Sequence, residues 1–484
     1  MEKTVSKPQM DYITSSSDFN LFMGGTGSGK TFGDGLISYK YISQYPQCRG
    51  IICANTYDQL SKSTMFRIRE VWKDIGVFEY NDKLKQGHYV IGKKPPPDFN
   101  VEYHNFENYN NIISFRWGTV VFIASLDNYE ALSGIEVAWA ILDETWMTKE
   151  EAVKEVILHR LRQPGIKIDG KDVCPMYIST TPARVAWIND WFRLDDYVKD
   201  INDVIYDKDK YFHRIVDNKN IIICSIYHNK HNLTEGYIEK LINEHTDRNG
   251  KLKESGKRLI FANPFVRAGG EFYSSFDRIT HTGDVPYIEG LPIHIAFDFN
   301  VVPYITMTVW QVQRKDNLYL RQIDEFCLKS PLNKTEKLCQ EFERHYSSKL
   351  KHGLFYYGDA TGKNQDTRGL NDYQIVENSL RNYLNNYSKR VPYRNPSVSS
   401  RRQFINNIFD EKYPVRILID KKCKETIRDL EFTKEDATGH KLKEKVKDEL
   451  TGQTYEALGH TGDSLDYLLT NCEILKDIYN KEFK

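Results

Sequence analysis

Eight consecutive residues, Gly24-Gly25-Thr26-Gly27-Ser28-Gly29-Lys30-Thr31, restrict what this chain can fold into more than any other stretch. They follow an apolar run, Phe19–Met23, that reads as a strand, and they precede a segment to Tyr41 that reads as a helix. A loop this rich in glycine turns its backbone N–H groups inward, and the helix beyond it adds the positive end of its dipole, so the two together cradle phosphate. In that setting Lys30 is expected to reach the β and γ oxygens of ATP, and the Thr31 hydroxyl to ligate magnesium. A P-loop of this kind requires a mainly parallel α/β sheet around it.

Such a centre needs a carboxylate on a neighbouring strand. The run from Glu136 to Leu142 ends in Asp143-Glu144, which assigns Asp143 to magnesium and Glu144 to the attacking water. Further strands are expected at Gly50–Ala54, Thr119–Ala124 and Pro175–Ser179, with the ligand at the carboxyl ends of the strands. The last of these runs into Thr180-Thr181-Pro182, whose hydroxyls are placed to sense the γ-phosphate and couple hydrolysis to movement; a plain strand-ending turn is the alternative. Gln9 is a candidate reader of the adenine edge. ATP hydrolysis also calls for an arginine, and because Ser125 to Gly134 contains none, Arg160 and Arg162 are the candidates, with surface charges as the other reading.

At 484 residues the chain exceeds one ordinary core, so two domains are expected: a motor domain over 1–262, a linker over 263–288 around Arg267-Ala268-Gly269-Gly270, and a second domain over 289–484. The formal charge is zero, which confines any nucleic-acid contact to local basic patches. Eight scattered cysteines show neither a paired framework nor zinc spacing. No run approaches the roughly 18 apolar residues of a membrane span, so a cytoplasmic protein with no membrane partner is expected.

In the second half the pattern starts afresh at Ile293-His294-Ile295-Ala296-Phe297-Asp298, followed by strands at Tyr304–Val312 and Leu318–Phe326. A helix from about Asn333 to Tyr346 comes next, then a strand, Gly353–Tyr357, leading into Gly358-Asp359. One more strand, Val415 to Asp420, precedes a last helix that opens with His460, Asp463 and Asp466. Three strands, helix, strand, strand and final helix, with acids on the first strand, the fourth strand and the last helix, is the order of ribonuclease H-like nucleases. In that fold Asp298 and Asp359 face each other and Asp463 closes the cleft, holding one or two Mg2+ or Mn2+ ions that activate water. Asp463 and Asp466 lie near one helix face; Asp463 is the preferred ligand, Asp466 the alternative, and His460 a proton shuttle, an extra ligand or a surface histidine. Between the last strand and helix, Lys441, Lys443, Lys445 and Lys447 would share one face of an extended hairpin and either grip phosphate or protect an exposed edge.

A P-loop motor followed by a ribonuclease H-like domain resembles the large terminase subunit of tailed bacteriophages over nearly the whole sequence. The matching pieces are Gly24–Thr31, Ile141-Leu142-Asp143-Glu144, Thr180-Thr181-Pro182, Asp298, Gly358-Asp359 and Gly459-His460-Thr461-Gly462-Asp463. The resemblance implies an ATPase and metal-dependent DNA endonuclease that cuts concatemeric double-stranded DNA and pumps it into a procapsid in the host cytoplasm. Its implied partners are a portal protein, a small terminase subunit and further copies of itself in a ring, expected to be pentameric. The lack of an arginine before the acidic strand leaves the arginine finger unassigned, and Asn55 stands where similar proteins often carry arginine. An ATP-driven translocase or helicase with a non-cutting C-terminal half, and a scaffold that binds nucleotide only as a switch, are the competing readings.

Overall fold

The computed structural model describes residues 4–483 apart from 105, 133, 169, 183–185, 249, 267–269, 364–369, 437, 443–444 and 448–453, and leaves out the side chains of 186, 361, 363 and 447. Two compact units result, Met1–Val266 and Arg267–Lys484.

In the first unit, α1 (Lys7–Ile13) leads into β1 (Phe19–Gly24), the P-loop and α2 (Lys30–Gln44); β2 (Gly50–Ala54) and α3 (Met65–Asp74) follow. Next come β3 (Tyr89–Ile91), β4 (Ile112–Phe115), β5 (Val120–Ser125), β6 (Trp139–Asp143), β7 (Met176–Thr180), β8 (Phe212–Val216) and β9 (Lys219–Cys224). These nine strands form one sheet in the order β8-β9-β1-β7-β6-β2-β5-β4-β3. The six from β9 to β5 are parallel, and antiparallel strands extend both edges.

Parallel strands are covered on both faces, so they read as continuous apolar runs whose alternate residues serve different cores. Leu21, Met23, Ile51 and Leu142 enter one core, with Val153, Ile188 and Ile201 packed over them. Phe22, Ile52, Ile141 and Tyr177 enter the other, under Ile37 and Tyr41 of α2 and Ile68 and Trp72 of α3. Gly50 has no side chain because the Trp139 ring of the neighbouring strand occupies the space a Cβ would need.

In the second unit six strands are ordered β10-β15-β13-β12-β11-β14, where β10 is Thr282–Gly283, β11 Ile293–Asp298, β12 Tyr304–Arg314, β13 Leu318–Lys329, β14 Leu354–Tyr357 and β15 Val415–Asp420. The first three long strands form an antiparallel meander and β14 lies parallel beside β11, as the ribonuclease H-like order requires. The fifth, β15, joins the far edge beside β13. One face carries α4 (Thr335–Tyr346) through Leu338 and Phe342. The other carries α5 (Lys424–Phe432) and α6 (His460–Asn471) through Ile427, Leu430, Leu465 and Leu468. Part of the stretch expected as a linker belongs to this core, since Phe272, Tyr273 and Phe276 are buried in it; residues 267–269 lie outside the described ones. Among the described residues no helix is long and apolar enough to cross a membrane.

Candidate functional site

The P-loop leaves β1 at the carboxyl end of the sheet. Gly27 and Gly29 both adopt φ of 82°, a left-handed conformation that costs any residue with a Cβ. Neighbours brace the turn: Asn229 Nδ2 donates to Gly27 O at 2.7 Å, Thr26 N donates to Leu259 O at 2.7 Å, and Gln9 Nε2 donates to Gly29 O at 3.0 Å. Gln9 is fully buried, and its Oε1 accepts from Ser6 N at 2.8 Å in the cap of α1, so both ends of the amide are engaged in holding the loop. In this structure the Gln9 amide thus braces the loop, where the sequence suggested a reader of the adenine edge. Lys30 Nζ folds over the loop, 3.2 Å and 3.4 Å from the carbonyls of Gly24 and Gly25 and 3.5 Å from Glu144 Oε1.

Asp143 and Glu144 end β6 beside the loop. Thr31 Oγ1 donates to Asp143 Oδ2 at 3.2 Å, which joins the two hard oxygens expected on magnesium. The donor set therefore suits that ion, with nucleotide phosphates completing its shell. Thr64 Oγ1 also donates to Asp143 Oδ2, at 2.7 Å. Burial and then the charge of Glu144 raise the Asp143 carboxyl to about 6, against Thr64, Ser179 and Lys30. Glu144 sits at φ 53°, a strained conformation for a long side chain, pinned by its N–H donating to Ser179 O at 2.7 Å.

The strand β7 touches both acids. Thr181 Oγ1 donates to Glu144 Oε2 at 3.3 Å, while Thr180 Oγ1 turns to Thr181 O at 2.7 Å. Ser179 Oγ stands 2.9 Å from Asp143 Oδ1 and 2.5 Å from Asp34 Oδ2. One hydroxyl has one proton, so a second proton must come from an acid. Burial and then Asp143 push Asp34 well above the carboxylate range, which favours its protonated form beside Ser179. Asp34, Thr64, Ser179 and Asn229 carry no signal in the sequence, since each reaches the site only through packing.

Arg160 and Arg162 do not join this centre. Leu161 bridges Val137, and Arg162 Nε lies 3.4 Å from Glu136 Oε1, all at the end of β6 opposite Asp143. Roughly six residues of strand separate those ends, about 20 Å, so neither arginine reaches the γ-phosphate of its own chain. Asn55 accepts from Thr148 Oγ1 at 3.3 Å.

In the second unit Asp298 and Asp359 each lie two residues beyond the last paired positions of β11 and β14, Ala296 and Tyr357, and so leave the same end of adjacent strands. Asp463 lies in the first turn of α6. All three act on one group: burial, then Asp463 and Asp359, with Asp298 adding, push the Tyr467 hydroxyl up. Each acid is also held by its own chain. Asn300 Nδ2 donates to both oxygens of Asp298, at 3.0 and 3.1 Å, and Asn395 Nδ2 donates to Asp359 Oδ1. Lys441 Nζ stands 2.8 Å from Asp463 Oδ1 and 2.8 Å from Asp466 Oδ2.

Among the described residues no three His, Cys, Asp or Glu side chains stand close enough to share a metal ion. The three acids expected to share an ion thus gather at one sheet end, where Asn300, Asn395 and Lys441 are among their partners in this structure.

His460 is neither a free shuttle nor a surface residue. Its Nε2 donates to Glu456 O at 2.9 Å and its Nδ1 shares a hydrogen bond of 3.0 Å with Asp298 Oδ2, an arrangement that an imidazolium beside a carboxylate satisfies. Burial works against that charge, but Asp298 outweighs it and lifts His460 to about 9. Asp466 is wholly buried and takes the Tyr273 hydroxyl at 2.8 Å, whereas the Asp463 side chain is 23% exposed. Of the four lysines, Lys441 points into the acids and Lys445 is exposed on a short strand, while Lys443 and the Lys447 side chain lie outside the described residues.

Residues 21–255 match the family model described as terminase large subunit, T4likevirus-type, N-terminal. No curated protein matches the chain. Among solved structures, the large terminase from a thermophilic bacteriophage in complex with ADP is 14% identical over 96% of this chain and 98% of that one, with a TM-score of 0.37. The HK97 bacteriophage large terminase is 10% identical over 91% of each chain, with a TM-score of 0.39. The P22 large terminase nuclease domain is 12% identical over 44% of this chain and 98% of that one, with a TM-score of 0.31. At these scores none of the three assigns a residue role or an activity here.

Proposed function

We propose, from the match of residues 21–255 to the large terminase family model, that the chain is a large terminase subunit and a DNA-packaging motor of a tailed bacteriophage. It hydrolyses ATP to move double-stranded DNA into a procapsid, and its second unit cuts the concatemer. The observation that carries this reading is the pairing, in one chain, of a braced P-loop whose Thr31 touches Asp143 with a second sheet whose acids gather at one end.

In the motor unit Lys30 holds the phosphates and Glu144 orients water towards the γ-phosphate. Magnesium, when bound by Thr31 and Asp143, screens the charge that develops on the phosphate oxygens. Loss of the γ-phosphate changes what Glu144 holds, and Thr181 passes that change into β7. The portal, the small subunit and a ring of copies are the partners this role calls for, in the cytoplasm of the infected host. A finger arginine would then come from a neighbouring copy.

The test uses the intact chain, with phosphate release and manganese-dependent plasmid cleavage as separate readouts. Lys30→Ala is expected to abolish ATP turnover and leave cleavage measurable, and Asp359→Ala to do the reverse. Equal loss of both activities in a folded variant contradicts the assignment. The second reading, a translocase whose C-terminal unit does not cut, draws on the lack of a three-ligand group among the described residues. Absence of any plasmid cleavage by the intact chain would favour it.

A further inference from the structure

Lys441 is a lysine in an unusual place. Its segment folds back on Lys434 and Glu435: Leu442 N donates to Lys434 O at 2.7 Å, and Glu435 pairs with Lys441 in an antiparallel bridge. From there the side chain passes the rings of Phe272 and Tyr273, with Nζ 5.1 Å and 5.0 Å from their centroids, and ends 2.8 Å from both Asp463 and Asp466. Only 8% of the side chain is exposed.

Burying an ammonium is unfavourable unless carboxylates meet it. Two acids one turn apart on α6 supply that match, and aromatic faces line the approach. Neutralising and drawing together a pair of carboxylates is also what a divalent cation does. Asp466 has no room for a further ligand, since the Tyr273 hydroxyl holds Oδ1 and Arg401 Nη1 stands 3.7 Å from Oδ2 beside Lys441.

We propose that Lys441 is the built-in counter-cation of this centre, standing where a second divalent ion would be held, so that the centre takes one divalent ion rather than two, on the side of Asp298 and Asp359. The inference rests on the cutting role proposed above. It also accounts for the missing three-ligand group: one of the three acids is already paired.

The experiment counts Mn2+ bound to the nucleotide-free, full-length protein by electron paramagnetic resonance of the free ion, supported by titration calorimetry. Ions of this centre are those lost when Asp298 and Asp463 are both changed to Asn. Wild type is expected to hold one such ion, Lys441→Arg one, and Lys441→Met two. Two ions in wild type, or an unchanged count in folded Lys441→Met, overturn the inference. Should Lys441→Met not fold, the wild-type count decides alone. Plasmid cleavage separates the two failures: two ions with cleavage sink only the role of Lys441, whereas no ion in any of these proteins sinks the cutting role with it.

Discussion

His294 on β11 shows how a single buried group sets acid tolerance. It shares a hydrogen bond of 2.9 Å with the Tyr357 hydroxyl and stacks on Phe355 with ring centroids 4.9 Å apart. Burial, with Arg390 acting in the same sense, pushes its imidazole down to about 3. In the unfolded chain the value is about 6.5, so between those limits the unfolded state binds a proton that the folded state does not. The stabilisation is complete above pH ~6.5 and is lost as pH falls towards 3, at about 1.4 kcal/mol per pH unit. Urea unfolding of His294→Gln between pH 3.5 and 6 should therefore show a slope shallower by about one proton; equal slopes would mean that His294 charges inside the fold. Ser179 makes a second case. Removing its hydroxyl leaves Asp34 and Asp143 without their shared partner, and Ser179→Ala should cost about 1–3 kcal/mol, read as a lowered Tm in the absence of nucleotide. An unchanged Tm would argue against the proton chain.

At the level of elements, α6 depends on an acid from another helix. Asp429 of α5 accepts from Gly459 N at 2.9 Å, from Thr461 Oγ1 at 2.6 Å and from Gly462 N at 3.0 Å, all at the N-terminus of α6. A carboxylate there satisfies orphan N–H groups and meets the helix dipole. Asp429→Ala strips a buried three-donor cap and should cost about 3 kcal/mol or more, with Asp429→Asn falling between; denaturant unfolding followed by a probe in the second unit measures it. A loss below about 0.5 kcal/mol would show that α6 is held by its apolar face alone. The same method of capping recurs at α5, where Glu325 accepts from Glu425 N at 2.8 Å and from Thr426 N at 2.9 Å.

Across the whole molecule, each unit has its own large sheet with a main core on either face. Loss of the α6 cap should then leave nucleotide binding alone: Asp429→Ala is expected to bind an ATP analogue within about twofold of wild type, a difference near 0.4 kcal/mol, by calorimetry at a temperature where it stays folded. A tenfold loss would show that the units share their stability.

Most elements of both sheets were legible in the sequence, because strand and helix follow from local periodicity, but β3, β4, β8, β9 and β10 were not expected. The P-loop was legible too, since its glycines, Lys30 and Thr31 act within eight consecutive residues, and Asp143-Glu144 stands out as the acidic end of an apolar strand. What sequence could not show are contacts made across folded distance. The buried place of Gln9, the Asp34–Ser179–Asp143 chain, the Asp429 cap and the insertion of Lys441 between two acids each join residues from 20 to 145 positions apart or place a polar atom where only packing admits it. Local spacing dictated which residues could hold phosphate; only the fold decided which cations the second group of carboxylates already holds, because a pairing of buried charges is fixed by the surrounding three-dimensional packing and leaves no periodic trace along the chain.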